Sequence, residues 1–465
     1  MNLKGKKIVI IGFGKSGKAA TKLILNQEPK EIIVSESMDK SQIPLETLKF
    51  FESQGVYFET GGHKKETLLS SDLIVVSPGV PREIYQICIK KGIPVLSELE
   101  LAWQLLPEPK KSEVIAITGT NGKTTTTAIV SELLKLSGYK VFTGGNYGIP
   151  LSELVISNTP VEKIVLEISS FQLENIHTFC PKIGILLNIA PDHLERYTSE
   201  EEYAYYKYKI FENQKNENDS ILPFQEKWFD KFKKVVKGKL NFFDEKENLK
   251  AKAFIKNEGF VLNLQTQEFY SFYGFKLLGI HNKINFMVAS LGARLGGATQ
   301  ESIRTLIPQF TGFPHRLEYI GEFNGIYFIN DSKATNVSAT ISALKSLPGC
   351  SIILILGGKH KGGSYADLIP YIKEKVKTLI LMGDSRFILA EELKDLTETH
   401  ITENLKDATL LAIKSAKPGD IVLLSPACSS FDQFKNYEER GNYFRNLVLT
   451  YTNIYLDERK RGVLH

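Results

Sequence analysis

Short, uninterrupted apolar runs recur along the chain, and stretches with helix-like spacing of their apolar residues lie between them. In the first hundred residues these runs are Ile8–Ile11, Ile32–Val34 and Leu73–Val76. Continuous apolar runs of this length are typical of strands that are buried on both faces of a parallel sheet. Because a glycine-rich turn and a helical stretch follow the first run, the pattern predicts a doubly wound α/β sheet.

The alternation of strands and helices continues towards the C-terminus and predicts three successive α/β domains. We place them at residues 1–105, 106–312 and 313–465, and the first boundary falls at the polar, proline-bearing stretch 106–112. Alternating apolar and polar residues from about 221 to 275 predict peripheral antiparallel strands. The other predicted strands are Val114–Ile117, Lys163–Glu167, Ile183–Asn188, Tyr327–Asn330, Ile352–Leu356, Thr378–Met382 and Ile421–Leu424, and helices are predicted from about Thr124, over 203–212 and from about Asn282 to Leu295.

The composition is that of an ordinary globular protein. Of 465 residues, 42% are apolar and 24% are charged, and the net charge of +5 is small and spread along the chain, so no nucleic-acid partner is expected. The four cysteines form no CxxC pair, which argues against a disulfide framework or a zinc site and fits a reducing compartment. The N-terminal apolar run breaks at Gly12 and no later run is long enough for a membrane span, so we expect a cytoplasmic protein without a membrane partner.

A first glycine-rich loop follows the first predicted strand. Gly12, Gly14 and Gly17 fit the GxGxxG pattern, whose glycines permit a tight turn and close approach of the backbone to a diphosphate. Glu36 ends the second strand, where a ribose-binding acid is expected. Taken alone, the pattern fits an NAD-dependent dehydrogenase, another diphosphate ligand such as a UDP-sugar, or plain packing of a helix on a strand.

A second glycine-rich loop lies between an apolar strand and a helix and reads Gly119-Thr120-Asn121-Gly122-Lys123-Thr124-Thr125. In such a loop the backbone amides bind phosphate oxygens, the lysine reaches the terminal phosphates, and the hydroxyl that follows binds magnesium. The spacing departs from the standard phosphate-binding loop, because Ile117 stands where that pattern needs a glycine. The alternative is a surface turn that happens to contain Gly-Lys-Thr.

Candidate magnesium ligands follow the next strands of the second segment. Glu167 ends one strand and His193 lies just past the end of another, so both should reach the crevice at the carboxyl ends of the strands. A lone histidine is more often structural, but its place beside the second loop favours a role in the site. Lys207 lies among tyrosines at helical spacing, a pattern typical of a helix face whose lysine reaches solvent.

Two polar segments of the third predicted domain also follow strands. Asn330–Asn336 forms a polar strand-to-helix turn suited to a nucleotide or a charged substrate, although solvated loops look similar. Ser425–Asn436 is the second segment, and its Cys428 is not expected to be a nucleophile because no histidine lies in this stretch.

With these residues in view, the chain resembles the Mur ligase family over nearly its whole length, and within it the branch that adds D-glutamate. The loop at 119–125 and the Asp-His pair at 192–193 are shared by the wider family, which includes folylpolyglutamate synthases. The residues that carry the resemblance are GTNGKTT at 119–125, LEISSFQLE at 166–174, Asp192-His193, GIHNKIN at 279–285, PHR at 314–316, NDSKATN at 330–336 and SPACSSFDQFKN at 425–436.

The resemblance implies a Rossmann-like N-terminal domain, a central P-loop ATPase-like domain and a Rossmann-like C-terminal domain. It implies ATP and two Mg²⁺ ions as cofactors, with Thr124, Glu167, His193 and a carbamylated Lys207 as metal ligands. It assigns catalytic roles to Lys123, Lys207, His193 and Lys333, the UDP-sugar substrate to Gly12, Gly14, Gly17, Glu36, Ser37, Ser77, Asn146, Ser169 and Gln172, and the nucleotide to residues 119–125 with Asn282, Asn285, Arg316 and Asp331. The incoming D-glutamate is assigned to Lys333, Thr335, Lys361, Ser430 and Tyr437.

The implied reaction adds D-glutamate to UDP-N-acetylmuramoyl-L-alanine through an acyl phosphate, in a cytoplasmic monomer that makes peptidoglycan precursors. Two departures weaken the assignments: His360 precedes Lys361 where an acid or glycine is common, and Tyr437 replaces a common phenylalanine. The rival functions are another ligase of the family, which adds a different amino acid or extends folate, and a nucleotide-regulated binding protein or dehydrogenase that uses the first glycine loop.

Overall fold

The computed structural model describes residues 1–190, 192–193, 196–277, 279–347, 349, 351–360, 362 and 364–460, with the backbone alone from 453 onwards. The chain divides into two compact units, one formed by Met1–Tyr273 with Ile284–Ile307 and the other by Gly274–Lys283 with Pro308–His465. Three sheets lie at residues 7–97, 114–271 and 318–424, each inside one of the predicted segments.

The first sheet is wholly parallel and has the strand order β3-β2-β1-β4-β5 among the described residues. All four residues of Ile8–Ile11 are fully buried, as the continuous apolar run predicts. The strand order reverses between β1 and β4, so the crevice at their carboxyl ends is the expected ligand site. The strands are β1 Lys7–Ile11, β2 Glu31–Ser35, β3 Val56–Glu59, β4 Leu73–Val76 and β5 Val95–Ser97, and the helices are α1 Lys15–Leu25, α2 Leu45–Ser53, α3 Lys65–Leu69, α4 Arg82–Lys90 and α5 Glu98–Leu105, with a 3₁₀ turn at Lys40–Gln42.

The second sheet contains the described strands in the order β14-β13-β12-β11-β10-β9-β6-β8-β7. A short helix, α6, occupies part of the predicted linker at 106–112. The strands are β6 Val114–Thr118, β7 Val141–Gly145, β8 Lys163–Glu167, β9 Ile183–Leu186, β10 Asp219–Pro223, β11 Lys239–Asp244, β12 Ala253–Lys256, β13 Gly259–Asn263 and β14 Gln267–Ser271, and the helices from here to residue 309 are α6 Glu108–Lys111, α7 Lys123–Leu136, α8 Leu151–Ser157, α9 Ser170–Glu174, α10 Glu200–Tyr208, α11 Phe229–Phe232, α12 Ile280–Leu295 and α13 Gln300–Gln309, with a 3₁₀ turn at Lys209–Phe211.

The prediction of antiparallel strands over 221–275 is wrong for the first part of that region. Strand β10 pairs in parallel with both β9 and β11, and β11 pairs in parallel with β12. The pattern of alternating residues indicates a half-buried strand but not its direction, and here a crossover through the short helix α11 joins β10 to β11 and makes them parallel. Only β12, β13 and β14 pair in antiparallel fashion.

The third sheet has the strand order β15-β16-β20-β17-β18-β19 over the described residues and is parallel except for the β15–β16 pair. Strands β15 and β19 were not predicted, because their mixed sequences show no apolar run. The strands are β15 Glu318–Phe323, β16 Ile326–Asn330, β17 Ile352–Gly357, β18 Val376–Met382, β19 Glu398–Ile401 and β20 Ile421–Leu424, and the helices are α14 Val337–Ser346, α15 Ile369–Lys375, α16 Arg386–Glu392, α17 Leu405–Ser415 and α18 Tyr437–Lys460, with a 3₁₀ turn at Ala366–Leu368.

The three sheets and their helices give the predicted three-part α/β fold, while the boundaries at 105 and 312 stay predictions. Within the part of the chain that the structure describes, no helix combines the length and the apolar character needed to cross a membrane.

Close packing at the first glycine loop generates a test of the fold. A Cβ atom on Gly17 would lie 2.0 Å from the carbonyl oxygen of Gly12, whereas a Cβ on Gly14 would meet nothing within 4 Å. We therefore expect Gly17→Ala to lower the free energy of unfolding by about 1–3 kcal/mol, as overpacking typically does. Gly14→Ala is the matched control and should change it by less than about 1 kcal/mol. Denaturant unfolding of both variants measures the difference, and equal effects would contradict this packing.

Candidate active site

The first glycine loop is held at the point where the order of the first sheet reverses. Gly12 has φ +84°, a conformation that favours glycine, and its carbonyl oxygen accepts a hydrogen bond of 2.8 Å from the Ser77 hydroxyl. Gly17 lies in the first turn of α1, directly against Gly12. The predicted substrate residues Gly12, Gly14, Gly17 and Ser77 are therefore brought together at the carboxyl ends of β1 and β4.

Glu36 fastens this loop to the end of β2. Its carboxylate accepts hydrogen bonds from the Phe13 amide at 2.5 Å, the Ser37 hydroxyl at 3.0 Å and the Met38 amide at 3.2 Å. Burial opposes ionisation of this group, but the bonds from Phe13, Met38 and Ser37 prevail and lower the pKa of Glu36. Glu36 and Ser37 thus lie beside the loop as predicted, and Glu36 also shapes it.

The second loop has the form of an anion cradle. Gly119 and Gly122 have φ values of +154° and +84°, and a Cβ on Gly122 would lie 2.5 Å from Oδ1 of Asn285, so neither position tolerates a side chain without rearrangement. The first hydrogen bond inside α7 runs from the Thr126 amide to the Gly122 carbonyl oxygen. The preceding amides therefore lie at the helix N-terminus, where they favour an anion.

Two lysines converge on this loop. The Lys123 ammonium donates to the carbonyl oxygens of Gly119 and Thr120, both at 2.8 Å. The Lys207 ammonium donates to the same Gly119 oxygen at 2.9 Å, and Lys207 is only 1% exposed. Burial, and then the charge of Lys123, lower the pKa of Lys207 well below its ordinary value. The interpretation of Lys207 from the tyrosine-rich pattern alone, as a lysine that reaches solvent, is therefore wrong, because α10 turns this face towards the loop; the resemblance implies a place in the site instead.

Helix α10 presents Tyr203 and Lys207 on one face, four residues apart. The Tyr203 hydroxyl lies 3.2 Å from Oγ1 of Thr120, and the Lys207 ammonium lies 4.6 Å from the centre of the Tyr203 ring. Asn188 completes the support of the loop, since its side chain accepts from the Asn121 amide at 2.9 Å and donates to the Asn121 carbonyl at 3.1 Å. Apart from the position of Asn188 after an apolar strand, no local signal indicates this role.

Glu167 lies at the end of β8, opposite Ile117 of the neighbouring β6. It is 3% exposed, and its Oε1 accepts a hydrogen bond of 2.8 Å from the Asn146 side chain. Its Oε2 is buried without a hydrogen-bond partner among the described residues. A buried carboxylate oxygen in this state is costly and is suited to a cation, which fits the predicted magnesium ligand.

His193 occupies an unusual backbone conformation beside this edge. Its φ is +54°, and its amide donates to Oδ1 of Asp192 at 3.0 Å. Its ring lies 4.8 Å from that of Phe171, between centres, and 6.2 Å from that of Tyr203. A positive φ is uncommon outside glycine and is often found at functional positions.

The residues after Glu167 form a helix cap. The Ser169 hydroxyl accepts from the Gln172 amide at 3.3 Å, while the Gln172 side chain accepts from the Ser169 amide at 3.0 Å. This capping box opens α9 and buries Gln172, so both predicted substrate residues have a clear local role. Their contact with substrate stays a prediction.

Asp331 is the most strongly perturbed carboxyl group of the third sheet. It follows β16, accepts from the Ser425 hydroxyl at 2.8 Å and from the Leu317 amide at 3.2 Å. Burial raises its pKa to about 7, although the Ser425 bond and the nearby Arg316 oppose the shift. Arg316 itself is exposed.

Arg440 joins the two polar turns of the third sheet. This arginine is 1% exposed and donates to the hydroxyl of Ser332 at 2.9 Å, to the Ser332 carbonyl at 2.8 Å and to the Cys428 carbonyl at 3.1 Å. Burial lowers its pKa to about 10. The turns that carry Lys333 and Ser430 are thereby fixed to each other, and the sequence did not indicate this.

Several predicted D-glutamate residues meet at these turns. The Lys333 ammonium lies 5.3 Å from the centre of the Tyr437 ring, and the Thr335 amide donates to the Lys333 carbonyl at 2.8 Å. Ser430 is 2% exposed and caps the following turn, where the Phe434 amide donates to its carbonyl. Lys361 lies outside the described residues.

Comparison with known proteins finds a matching family model for each of the three sheets described above. Family models match residues 7–83 (MurD N-terminal domain), 117–293 (Mur ligase middle domain) and 315–428 (Mur ligase, glutamate ligase domain). Proteins named UDP-N-acetylmuramoylalanine–D-glutamate ligase from Geotalea uraniireducens and Geotalea daltonii are 38% and 41% identical to it over 451 residues, which is 96% of this chain and 98% of each relative. The chain belongs to the Mur ligase family.

Solved structures confirm the fold of this Mur ligase. UDP-N-acetylmuramate–alanine ligase MurC from Thermotoga maritima is 19% identical, with a TM-score of 0.53 over 95% of this chain and 98% of that one. MurF ligase from the same organism, in complex with ADP, is 16% identical, with a TM-score of 0.54 over 98% and 96%. The family match also rules against the dehydrogenase interpretation of the first glycine loop.

The structure places the remaining nucleotide residues of this Mur ligase on one helix. Asn282 and Asn285 lie in the first turns of α12, and Asn285 is 6% exposed beside Gly122. The described residues contain no group of three or more His, Cys, Asp or Glu side chains that could hold a metal alone. The roles assigned to individual residues stay predictions.

The pKa of Asp331 is raised and that of Asp420 is lowered, so the Asp→Asn variants at these positions should change Tm in opposite directions. Its pKa of about 7 when folded exceeds the unfolded value of about 3.9, so the folded state holds an extra proton and loses stability as pH rises between these values. Asp331→Asn removes this loss, so the ligand-free variant should gain in Tm over the original protein as pH rises from 5 to 8.

Asp420→Asn is the matched control in the same sheet. Burial opposes ionisation there, but the Lys377 and Ser351 side chains prevail and lower the pKa of Asp420. The Asp420 carboxylate therefore stabilises the fold above its unfolded pKa of about 3.9, so the variant should have a lower Tm than the original protein throughout pH 5 to 8, by an amount that hardly changes with pH. Thermal unfolding between pH 4 and 8 measures both, and parallel curves for Asp331→Asn would contradict the buried, protonated carboxyl.

Proposed function

We propose that this Mur ligase joins the amine of D-glutamate to the terminal carboxylate of UDP-N-acetylmuramoyl-L-alanine, with conversion of ATP to ADP and phosphate, in cytoplasmic synthesis of peptidoglycan precursors. The relatives that match it along 96% of its length carry the name of this reaction. The observation that carries the proposal is the convergence of Lys123 and Lys207 on Gly119, next to the strand that ends in Glu167. This arrangement suits a terminal phosphate and its cation.

The chemistry explains why ATP is needed. A carboxylate is a poor acyl donor, because an amine that attacks it would have to expel oxide. Transfer of the γ-phosphoryl group to a carboxylate oxygen gives an acyl phosphate and ADP. The amine nitrogen then bonds to the carbonyl carbon, loses a proton, and phosphate leaves with that oxygen. Lys123 and the amides of the second loop offset the charge on the transferring group, so the protein mainly positions and stabilises charge.

Magnesium fits the residues at this edge. The unpartnered Oε2 of Glu167 is the observation in favour, and Thr124, His193 and a carbamylated Lys207 complete the proposed ligands. When bound, Mg²⁺ neutralises phosphate charge and orients the oxygens around the reacting phosphorus. The protein's own part is to hold Thr124, Glu167 and His193 after the ends of β6, β8 and β9, and Lys207 on α10.

Lys207 is suited to carbamylation because burial favours its neutral amine. In this step the amine nitrogen bonds to the carbon of CO₂ and releases one proton, which converts a cation that repels Mg²⁺ into an anionic oxygen ligand. The lowered pKa of Lys207 and its 1% exposure support the proposal. Tyr203 and the Gly119 carbonyl keep the side chain in place.

The other substrate contacts follow the three sheets. We assign the UDP-sugar to the first glycine loop with Glu36, Ser37, Ser77, Asn146, Ser169 and Gln172, the nucleotide to the second loop with Asn282, Asn285, Arg316 and Asp331, and D-glutamate to Lys333, Thr335, Lys361, Ser430 and Tyr437. We propose that the enzyme acts as a cytoplasmic monomer, without nucleic acid or membrane as partner.

The first test is a panel of amino acids supplied with ATP, Mg²⁺ and UDP-N-acetylmuramoyl-L-alanine. D-Glutamate should give phosphate release at a rate at least about a hundredfold above that of L-glutamate, because the wrong enantiomer cannot place both its amine and its carboxylates. With ¹⁸O in the L-alanyl carboxylate, one labelled oxygen should appear in each phosphate. Preference for another amino acid would favour a different ligase of the family, and absence of label from phosphate would exclude the acyl phosphate.

Lys207 gives the second test. Lys207→Ala should lower kcat by more than about a hundredfold, since even residues that only support metal ligands contribute about 10- to 100-fold. With ¹³C-bicarbonate, a carbamate signal should appear in the NMR spectrum of the original protein and disappear in this variant. Lys209→Ala, which removes another buried lysine nearby, should keep the signal. Near-normal turnover of Lys207→Ala would refute the proposed ligand.

A further inference from the structure

A buried arginine–glutamate pair lies behind the histidine of the site and takes no part in the function proposed above. Arg196 forms a two-pronged bond with Glu174, from Nε to Oε1 and from Nη2 to Oε2, both at 2.7 Å. The side chains are 11% and 3% exposed. The Tyr197 and Tyr85 hydroxyls add bonds to the same carboxylate at 2.8 and 3.2 Å. A planar fork of this kind fixes the orientation of both partners.

Arg196 reaches His193 through both backbone and side chain. The amides of Arg196 and Tyr197 donate to the His193 carbonyl at 3.0 and 3.1 Å, and His193 itself has φ +54°. The Arg196 guanidinium lies 4.6 Å from the centre of the Phe171 ring, and the His193 ring lies 4.8 Å from the same centre. Phe171 therefore contacts the guanidinium and the imidazole together.

The same guanidinium also contacts the segment between β4 and α4. Its Nη1 donates to the Val80 carbonyl at 2.8 Å. Val80 borders the first glycine loop, since a Cβ on Gly12 would lie 3.0 Å from its Cγ2. Arg82 adds a second cation, with its Nε 3.2 Å from Oε2 of Glu174. The Arg196 side chain thus bonds both to the Val80 carbonyl and to Glu174 at the end of α9, while its backbone amide bonds to the His193 carbonyl.

We propose that Arg196, anchored by Glu174, is a positioning residue that sets the His193 ring as a metal ligand and fixes it relative to the Val80 turn. This inference rests on the proposed function for the role of His193. A lysine at position 196 keeps the charge but cannot form the fork, contact Phe171 with a planar group and bond to Val80 at the same time.

The chain contains a matched control for a purely structural role. Arg294 forms the same two-pronged bond with Glu268, at 3.0 and 2.6 Å, and the Tyr270 hydroxyl bonds to that carboxylate at 2.6 Å. This pair joins β14 to the end of α12 and includes none of the predicted site residues. Arg294→Lys should therefore lower stability as Arg196→Lys does, without an effect on the site.

The experiment compares Arg196→Lys, Arg294→Lys and the original full-length protein. Mn²⁺ affinity is measured by electron paramagnetic resonance in the presence of a non-hydrolysable ATP analogue, and kcat and the KM for D-glutamate are measured by phosphate release. We expect Arg196→Lys to weaken Mn²⁺ binding and to lower kcat, each about 10- to 100-fold, with the KM for D-glutamate unchanged. Arg294→Lys should leave all three within twofold.

Unchanged Mn²⁺ affinity and kcat in a folded Arg196→Lys protein would overturn the proposal. Should that variant fail to fold, Glu174→Gln takes its place, because an amide cannot accept both prongs of the fork, and the same losses are expected. An original protein that releases no phosphate with D-glutamate would refute the proposed function instead, while the Mn²⁺ comparison would still decide whether Arg196 positions His193.

Discussion

The carbonyl oxygen of Gly119 accepts hydrogen bonds from two lysines, and much of the site depends on this shared acceptor. Two ammonium groups so close together repel each other, and burial of Lys207 adds to the cost of its charge. The result is that the neutral form of Lys207 is favoured, while Lys123 is the lysine that we assign to the phosphate. Glycine is required at this position, because a Cβ would lie 2.9 Å from that of Leu187.

Local sequence was sufficient for most strands and for the places where chemistry should gather. Apolar runs such as Ile8–Ile11 identify buried strands, and parallel strands bring their carboxyl ends to one edge, which places Glu167 near the second loop without knowledge of the fold. The sequence did not predict strands β3, β5, β7, β15 and β19 or the parallel direction of β10 to β12. Strand direction, and strand formation by short or mixed sequences, depend on contacts between distant parts of the chain.

The same reason explains the site residues that the sequence did not indicate. Arg196 bonds to Glu174 and to Val80, partners 22 and 116 residues away, and Arg440 bonds to Ser332 across 108 residues. No local pattern marks such pairs. Conversely, Glu36 and Gln172 were predicted from motifs as ligand contacts, and the structure adds that each already bonds to the backbone of its own loop. A substrate that contacts these side chains as predicted would have only their remaining lone pairs and donors available.

The backbone conformation at His193 lowers the stability of the fold in order to keep an imidazole at this position. A left-handed conformation at a residue with a side chain costs roughly 1–3 kcal/mol relative to relaxed alternatives. Glycine would relieve that strain at once, but it would remove the imidazole. Substitutions that raise stability would therefore tend to replace this histidine with glycine. His193 would persist in a lineage only under continued selection for the function of its imidazole ring.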